Sequence, residues 1–146
     1  MNLTVPVFSA GSLERLRRLD GRRRWLLLRA AGLLTAASAI VALLPFRRAI
    51  RFGGPVLRDG SISVDEAVWA VEAAARRMPW RAMCIEKGVV VQRMLRLGGV
   101  DAILHYGARH HPGSGRLEAH VWVRAGGEII MGGEQAADFA ELATFP

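Results

Sequence analysis

Cysteine is nearly absent from this chain: of 146 residues only Cys84 carries a thiol. An internal disulfide and every multi-cysteine zinc motif are therefore excluded, and a single free thiol agrees with a reducing compartment. Acidic residues are scarce in the first sixty positions, where Glu14, Asp20 and Asp59 stand against 11 arginines, while the rest of the chain holds nine bases and ten acids. The formal charge of +7 is thus an N-terminal feature and not a track along the whole molecule. Aromatic residues make up only 7% of the chain and the positive charge does not continue past its N-terminal part, so no nucleic-acid partner is expected. What is plentiful is apolar surface, 51% of residues. A chain of this length buries roughly two thirds of the surface its unfolded form exposes, enough for one compact domain without staples.

The N-terminal region poses the first question. Ala30 to Phe46 is uncharged, Trp25 to Leu28 extend it past Arg29, and Arg22-Arg23-Arg24 and Arg47-Arg48 flank it. A short membrane span and a cleaved signal sequence, with Ala37-Ser38-Ala39 as a small-x-small site, are both compatible with that outline. Three features favour a packed core helix over residues 25–46. Bulky side chains repeat at heptad spacing as Leu26, Leu33, Ile40 and as Leu27, Leu34, Val41; small residues fill the other faces; and Pro45 ends the run near the shortest spanning length. The expected location is cytoplasmic, with contact between residues 25–46 and a membrane left open.

Gly53-Gly54-Pro55 closes this region and Arg58-Asp59-Gly60 reads as a turn. Ser63-Val64-Asp65-Glu66 is then a capping box, followed by Val64, Ala67, Val68, Val71, Ala74, Ala75 and Met78 at helical period and a stop at Pro79. A third helix is predicted from Ala82 to Leu97, closed by Gly98-Gly99. Cys84 falls in its first turn, where unpaired N–H groups and the positive end of the dipole favour a thiolate. Gly88, one turn on, leaves room for another element to approach beneath the sulfur. As a lone cysteine, Cys84 also fits the role of a small core hydrophobe.

Beyond Gly99 the period changes from 3.6 to 2. Asp101–Ala108, Arg116–Arg124 and Glu128–Met131 read as three strands of an antiparallel meander, giving an α+β fold with N-terminal helices packed on a small sheet. In the middle strand Ala119, Val121 and Val123 point one way, and Glu118, His120, Trp122 and Arg124 the other. His120 is therefore held on a rigid strand, as a general base or as a hydrogen-bonded core histidine. The other histidines, His105, His110 and His111, lack a thiol or carboxylate at ligand spacing. No metal and no cofactor is expected.

These residues carry a specific resemblance. Trp80-Arg81-Ala82-Met83-Cys84, the helix Gly88 to Arg96, the link Gly98-Gly99-Val100-Asp101-Ala102 and the strand Glu118-Ala119-His120-Val121-Trp122-Val123 resemble the transglutaminase-like core of the lasso peptide biosynthesis B2 proteins. The opening Leu44-Pro45-Phe46-Arg47-Arg48 is also similar to that family's. The resemblance implies residues 63–146 as a papain-related catalytic core, with residues 1–62 as an Arg-rich helical region packed on it. It implies a cysteine peptidase that removes the leader from a ribosomally made precursor, with Cys84 as nucleophile and His120 as its base. The partners it implies are the precursor peptide, a separate leader-recognition protein of the B1 type, since the short basic N-terminal segment has no room for such a domain, and a lasso cyclase. An acyl transferase using the same thiol, or a non-catalytic membrane-attached interaction protein, are the alternatives.

The chain departs from this family in one place. Members usually carry an Asp on the strand after the histidine, to orient the imidazole; here Glu128 precedes that strand and Gly132-Gly133-Glu134 follows it. Glu134 is the candidate for the third role, with a backbone carbonyl or no orienter as the other possibilities. The Cys84 N–H is expected to contribute to an oxyanion hole. Trp80 and Trp122 are candidates for cleft walls, core burial being the simpler role for Trp122.

Overall fold

A computed structural model describes residues 10–57 and 60–146. Helices come first: α1 (Ala10–Arg17), α2 (Gly21–Leu43), the short α3 (Phe46–Ala49) with a 3-10 turn at Ile50–Gly53, α4 (Val64–Ala75) and α5 (Cys84–Leu97). Strands β1 (Ala102–His110), β2 (Leu117–Ala125), β3 (Glu128–Met131) and β4 (Ala140–Phe145) form one antiparallel sheet in the order β3-β2-β1-β4. The fold is α+β, helices packed on a small antiparallel sheet. Of the turn expected at Arg58-Asp59-Gly60, positions 58 and 59 lie outside the described residues.

Local chemistry explains the helix boundaries. Asp20 starts α2, its carboxylate accepting from the Arg23 N–H at 2.7 Å. At α4 both halves of the capping box are made: Ser63 Oγ accepts from the Glu66 N–H at 3.3 Å, and the Glu66 carboxylate accepts from the Ser63 N–H at 3.0 Å. Arg22 from α2 also grips that carboxylate, at 2.5 and 2.8 Å, and reaches the Ser61 carbonyl. The guanidinium and the Ser63 amide hold the Glu66 carboxyl down to about 2, so this tie is present above the ordinary carboxylate range and is lost as the pH falls through that value. Helix α4 ends three residues before the expected Met78, at Ala75: the Arg77 and Met78 N–H groups turn to the carbonyls of Ala74 and Ala75, and the Arg77 guanidinium donates to the Ala73 carbonyl at 2.6 Å.

The core lies where α2, α4 and α5 meet one face of the sheet. Leu26, Ala30, Leu34 and Ala37 of α2, Val71 of α4, Val89 to Val91, Met94 and Leu95 of α5, and Leu104 and Val123 of the sheet are fully buried. The heptad expectation for α2 holds at Leu26, Leu27 and Leu34, but Leu33, Ile40 and Val41 are only partly buried and Leu28 and Leu43 are exposed. The reason is that α4 and α5 cover one side of α2 only. By length and composition α2 could cross a membrane, and 28% of its most apolar stretch is buried inside the protein.

Strand β4 was not expected. Ala140-Glu141-Leu142-Ala143-Thr144-Phe145 carries weak strand formers and is mostly exposed, as suits an edge strand, and it reaches β1 by passing beyond β2 and β3. Its pairing with β1 slips between Tyr106 and Gly107. Gly107 is required there: a Cβ would lie 2.8 Å from the Trp122 ring and 2.9 Å from the Ala140 carbonyl.

Candidate active site

Cys84 is the first residue of α5, two positions beyond the expected helix start at Ala82. Met83 precedes it as N-cap and offers no side-chain acceptor; instead Glu86, buried, accepts the Met83 N–H at 2.7 Å. The first N–H groups of a helix have no acceptor within it, so the Cys84 amide is available at the thiol. The helix is seated by Gly88, where a Cβ would lie 2.8 Å from Val121 Cγ1 and 3.2 Å from Leu104 Cδ1. No larger residue would let α5 come so close to β2, and this approach sets the depth of the sulfur.

His120 stands on β2, one residue before the point where α5 touches that strand. Cys84 and His120 line a common cleft of ≈ 550 Å³, bounded also by Glu72 and Lys87 of the helices and by the segment from Ile129 to Gln135. Thiol and imidazole are not hydrogen-bonded to each other, a separation common in unliganded sites. Lys87 donates to Glu72 across the cleft at 3.1 Å, so these two charges in its lining are paired with each other.

The hydrogen bond of the His120 ring goes to the main chain and not to Glu134. Glu134 lines the cleft but makes no hydrogen bond with His120; His120 Nε2 lies 2.8 Å from the Gly132 carbonyl. A carbonyl only accepts, so Nε2 carries the proton, and in the neutral ring Nδ1 keeps its lone pair. Gly132 is the residue that permits this. Its φ is +75°, and a Cβ would lie 2.6 Å from the Val121 carbonyl. Only glycine can turn the chain this tightly against β2 and present its own carbonyl to the ring. The Gly132-Gly133 pair was the available signal, but a main-chain acceptor leaves no side-chain type in the sequence to mark it.

The ring of His120 is also held from behind. Trp122, buried, lies between two histidines: His105 at 5.7 Å and 12°, and His120 at 6.2 Å and 25°. Phe139 closes on His120 at 5.1 Å. His105 in turn bonds Glu141 of β4 at 2.7 Å. Trp122 therefore backs the imidazole as part of the core and is no cleft wall. Trp80 does not line the cleft either. His110 bonds the Gly115 carbonyl at 3.2 Å and His111 lies 3.9 Å from Glu118, so each remaining histidine has a local partner. Among the described residues no three potential ligands gather into a metal cluster.

A helix-borne cysteine and a strand-borne histidine on one cleft can carry out thiol-based acyl chemistry. The family model described as the transglutaminase-like superfamily matches residues 13–144, nine tenths of the molecule. The chain belongs to the transglutaminase-like superfamily. That superfamily includes cysteine peptidases and acyltransferases, and the match takes in α2 and α3 together with α4, α5 and the sheet. Comparison with curated proteins and with solved structures gave no match.

Proposed function

We propose that this transglutaminase-like protein is a cysteine peptidase that removes the leader from a ribosomally synthesised lasso peptide precursor. The observation that supports it best is the shared cleft of Cys84 and His120, with the imidazole tautomer set by the Gly132 carbonyl. In this reading His120 Nδ1 takes the Cys84 proton and Sγ attacks the carbonyl carbon of the scissile peptide bond. The oxyanion forms beside the Cys84 N–H. Collapse breaks the C–N bond, and the imidazolium gives its proton to the departing amine. Water, deprotonated by His120, then releases the acyl group as a carboxylate and frees the thiol. A separate leader-recognition protein delivers the precursor, and a lasso cyclase closes the new N-terminus onto an acidic side chain.

Amine in place of water in the last step would make the protein an acyl transferase, and the product mass separates the two. Incubating precursor and recognition protein with the wild-type chain should yield free leader by mass spectrometry, and Cys84→Ala should yield none while remaining folded, since Ala nearly fills the same space and suits a helix. Normal processing by Cys84→Ala would overturn the proposal.

A further inference from the structure

Cys84 borders a second hollow, whose lining includes none of Glu72, Lys87 and Glu134. This pocket of ≈ 320 Å³ is walled by Phe46 of α3, Met83 and Ile85 at the start of α5, Tyr106 of β1 and Val121 of β2, and no charged residue lines it. We propose that it is a specificity subsite that takes one large apolar side chain of the peptide beside the bond Cys84 attacks. The inference rests on the peptidase reading and names the substrate feature that the same site selects.

Four observations carry it. Cys84 itself lines the pocket, so a side chain within it belongs to a residue near the reacting carbonyl. Its volume corresponds to about ten waters at ~30 Å³ each, room for one Leu, Met or Phe side chain with adjoining backbone, and it lies at the small end of ligand sites. Its rim leaves apolar surface open: Phe46 is 38% and Met83 52% exposed, area that a bound apolar group would remove from water. And the wall is formed in advance, because Phe46 packs on Tyr106 at 4.8 Å and on Phe145 at 6.1 Å. The Tyr106 hydroxyl, bonded to no described group, is the one side-chain hydroxyl in the lining and can meet the substrate main chain. The subsite also gives α2 and α3 a part in binding, since Val41 and Phe46 supply its outer wall.

The lone cysteine allows a test that needs no cleavage. Methyl and benzyl methanethiosulfonate each transfer their thiol group to Cys84, with methanesulfinate leaving, and the added mass reports the rate. In the full chain the benzyl-to-methyl rate ratio should exceed that of free cysteine by roughly tenfold or more, the scale of apolar discrimination in such pockets. Ala119→Phe, placed in the lining, should fill the pocket and return the ratio to that of free cysteine; Phe46→Ala, which removes the wall, should also lower it. A wild-type ratio equal to that of free cysteine, or a ratio unchanged in both variants when circular dichroism shows them folded, would overturn the subsite. Failure of the wild type to cleave any precursor would overturn the peptidase and leave the labelling ratio to decide the pocket.

Discussion

The two faces of the sheet hold the two halves of the site by different means. The inner face is apolar: Leu104, Val121 and Val123 meet α5, and Gly88 brings the helix down until it touches them. Position there is a matter of shape alone. The outer face is aromatic and polar: Glu141, His105, Trp122 and His120 follow one another in hydrogen-bonded or stacked contact, and Arg109 ties Glu118 and Asp138 at 2.8 and 3.3 Å while lying over Phe139. Position there depends on directional groups. A nucleophile needs depth and a free amide, which packing supplies; a base needs a fixed tautomer and ring plane, which only stacking and a hydrogen bond supply.

The sharpest way to break this contrast is at its largest buried ring. Trp122→Ala should cost about 3–5 kcal/mol, the range for deleting a buried aromatic side chain, and should slow cleavage as well, because His120 loses its backing. Urea denaturation and single-turnover cleavage measure the two effects. A loss below 1 kcal/mol would mean that the outer face is surface decoration.

On the inner face, Gly88→Ala should cost about 1–3 kcal/mol, the range for overpacking, by forcing Val121 and α5 apart. Reactivity of Cys84 towards small thiol reagents should change with it, since the sulfur moves with the helix. Unchanged stability would show that α5 has slack against β2.

The smallest effect is expected at Glu134. If the Gly132 carbonyl orients His120, Glu134→Gln should lower the single-turnover cleavage rate by no more than a few-fold, against the roughly 10⁴-fold that follows loss of a triad carboxylate. A loss of a hundredfold or more would return the third role to Glu134.

What the sequence made legible follows the same division. Cys84 at a helix start, Gly88 beneath it, the Ser63-Glu66 capping box and the alternation that places His120 and Val121 on opposite faces could all be read, because each rests on local spacing. Three things could not. Strand β4 pairs with β1 across a long sequence separation and its residues favour strand weakly. The Gly132 carbonyl is main chain, so only the paired glycines hinted at it. The apolar pocket joins Phe46 to Ile85 and Val121, residues that only the packing of α3 against the sheet brings together. Side-chain patterns predict elements; the contacts between elements that shape a substrate's surroundings lie outside them.

The solitude of Cys84 has a chemical consequence as well. Where a second thiol stands nearby, an oxidised cysteine is rescued as a disulfide that a reductant can open. Cys84 has no such neighbour in the chain, so its sulfenic acid has no internal thiol to close a disulfide with and can proceed to sulfinic acid, from which ordinary thiol reductants do not recover it.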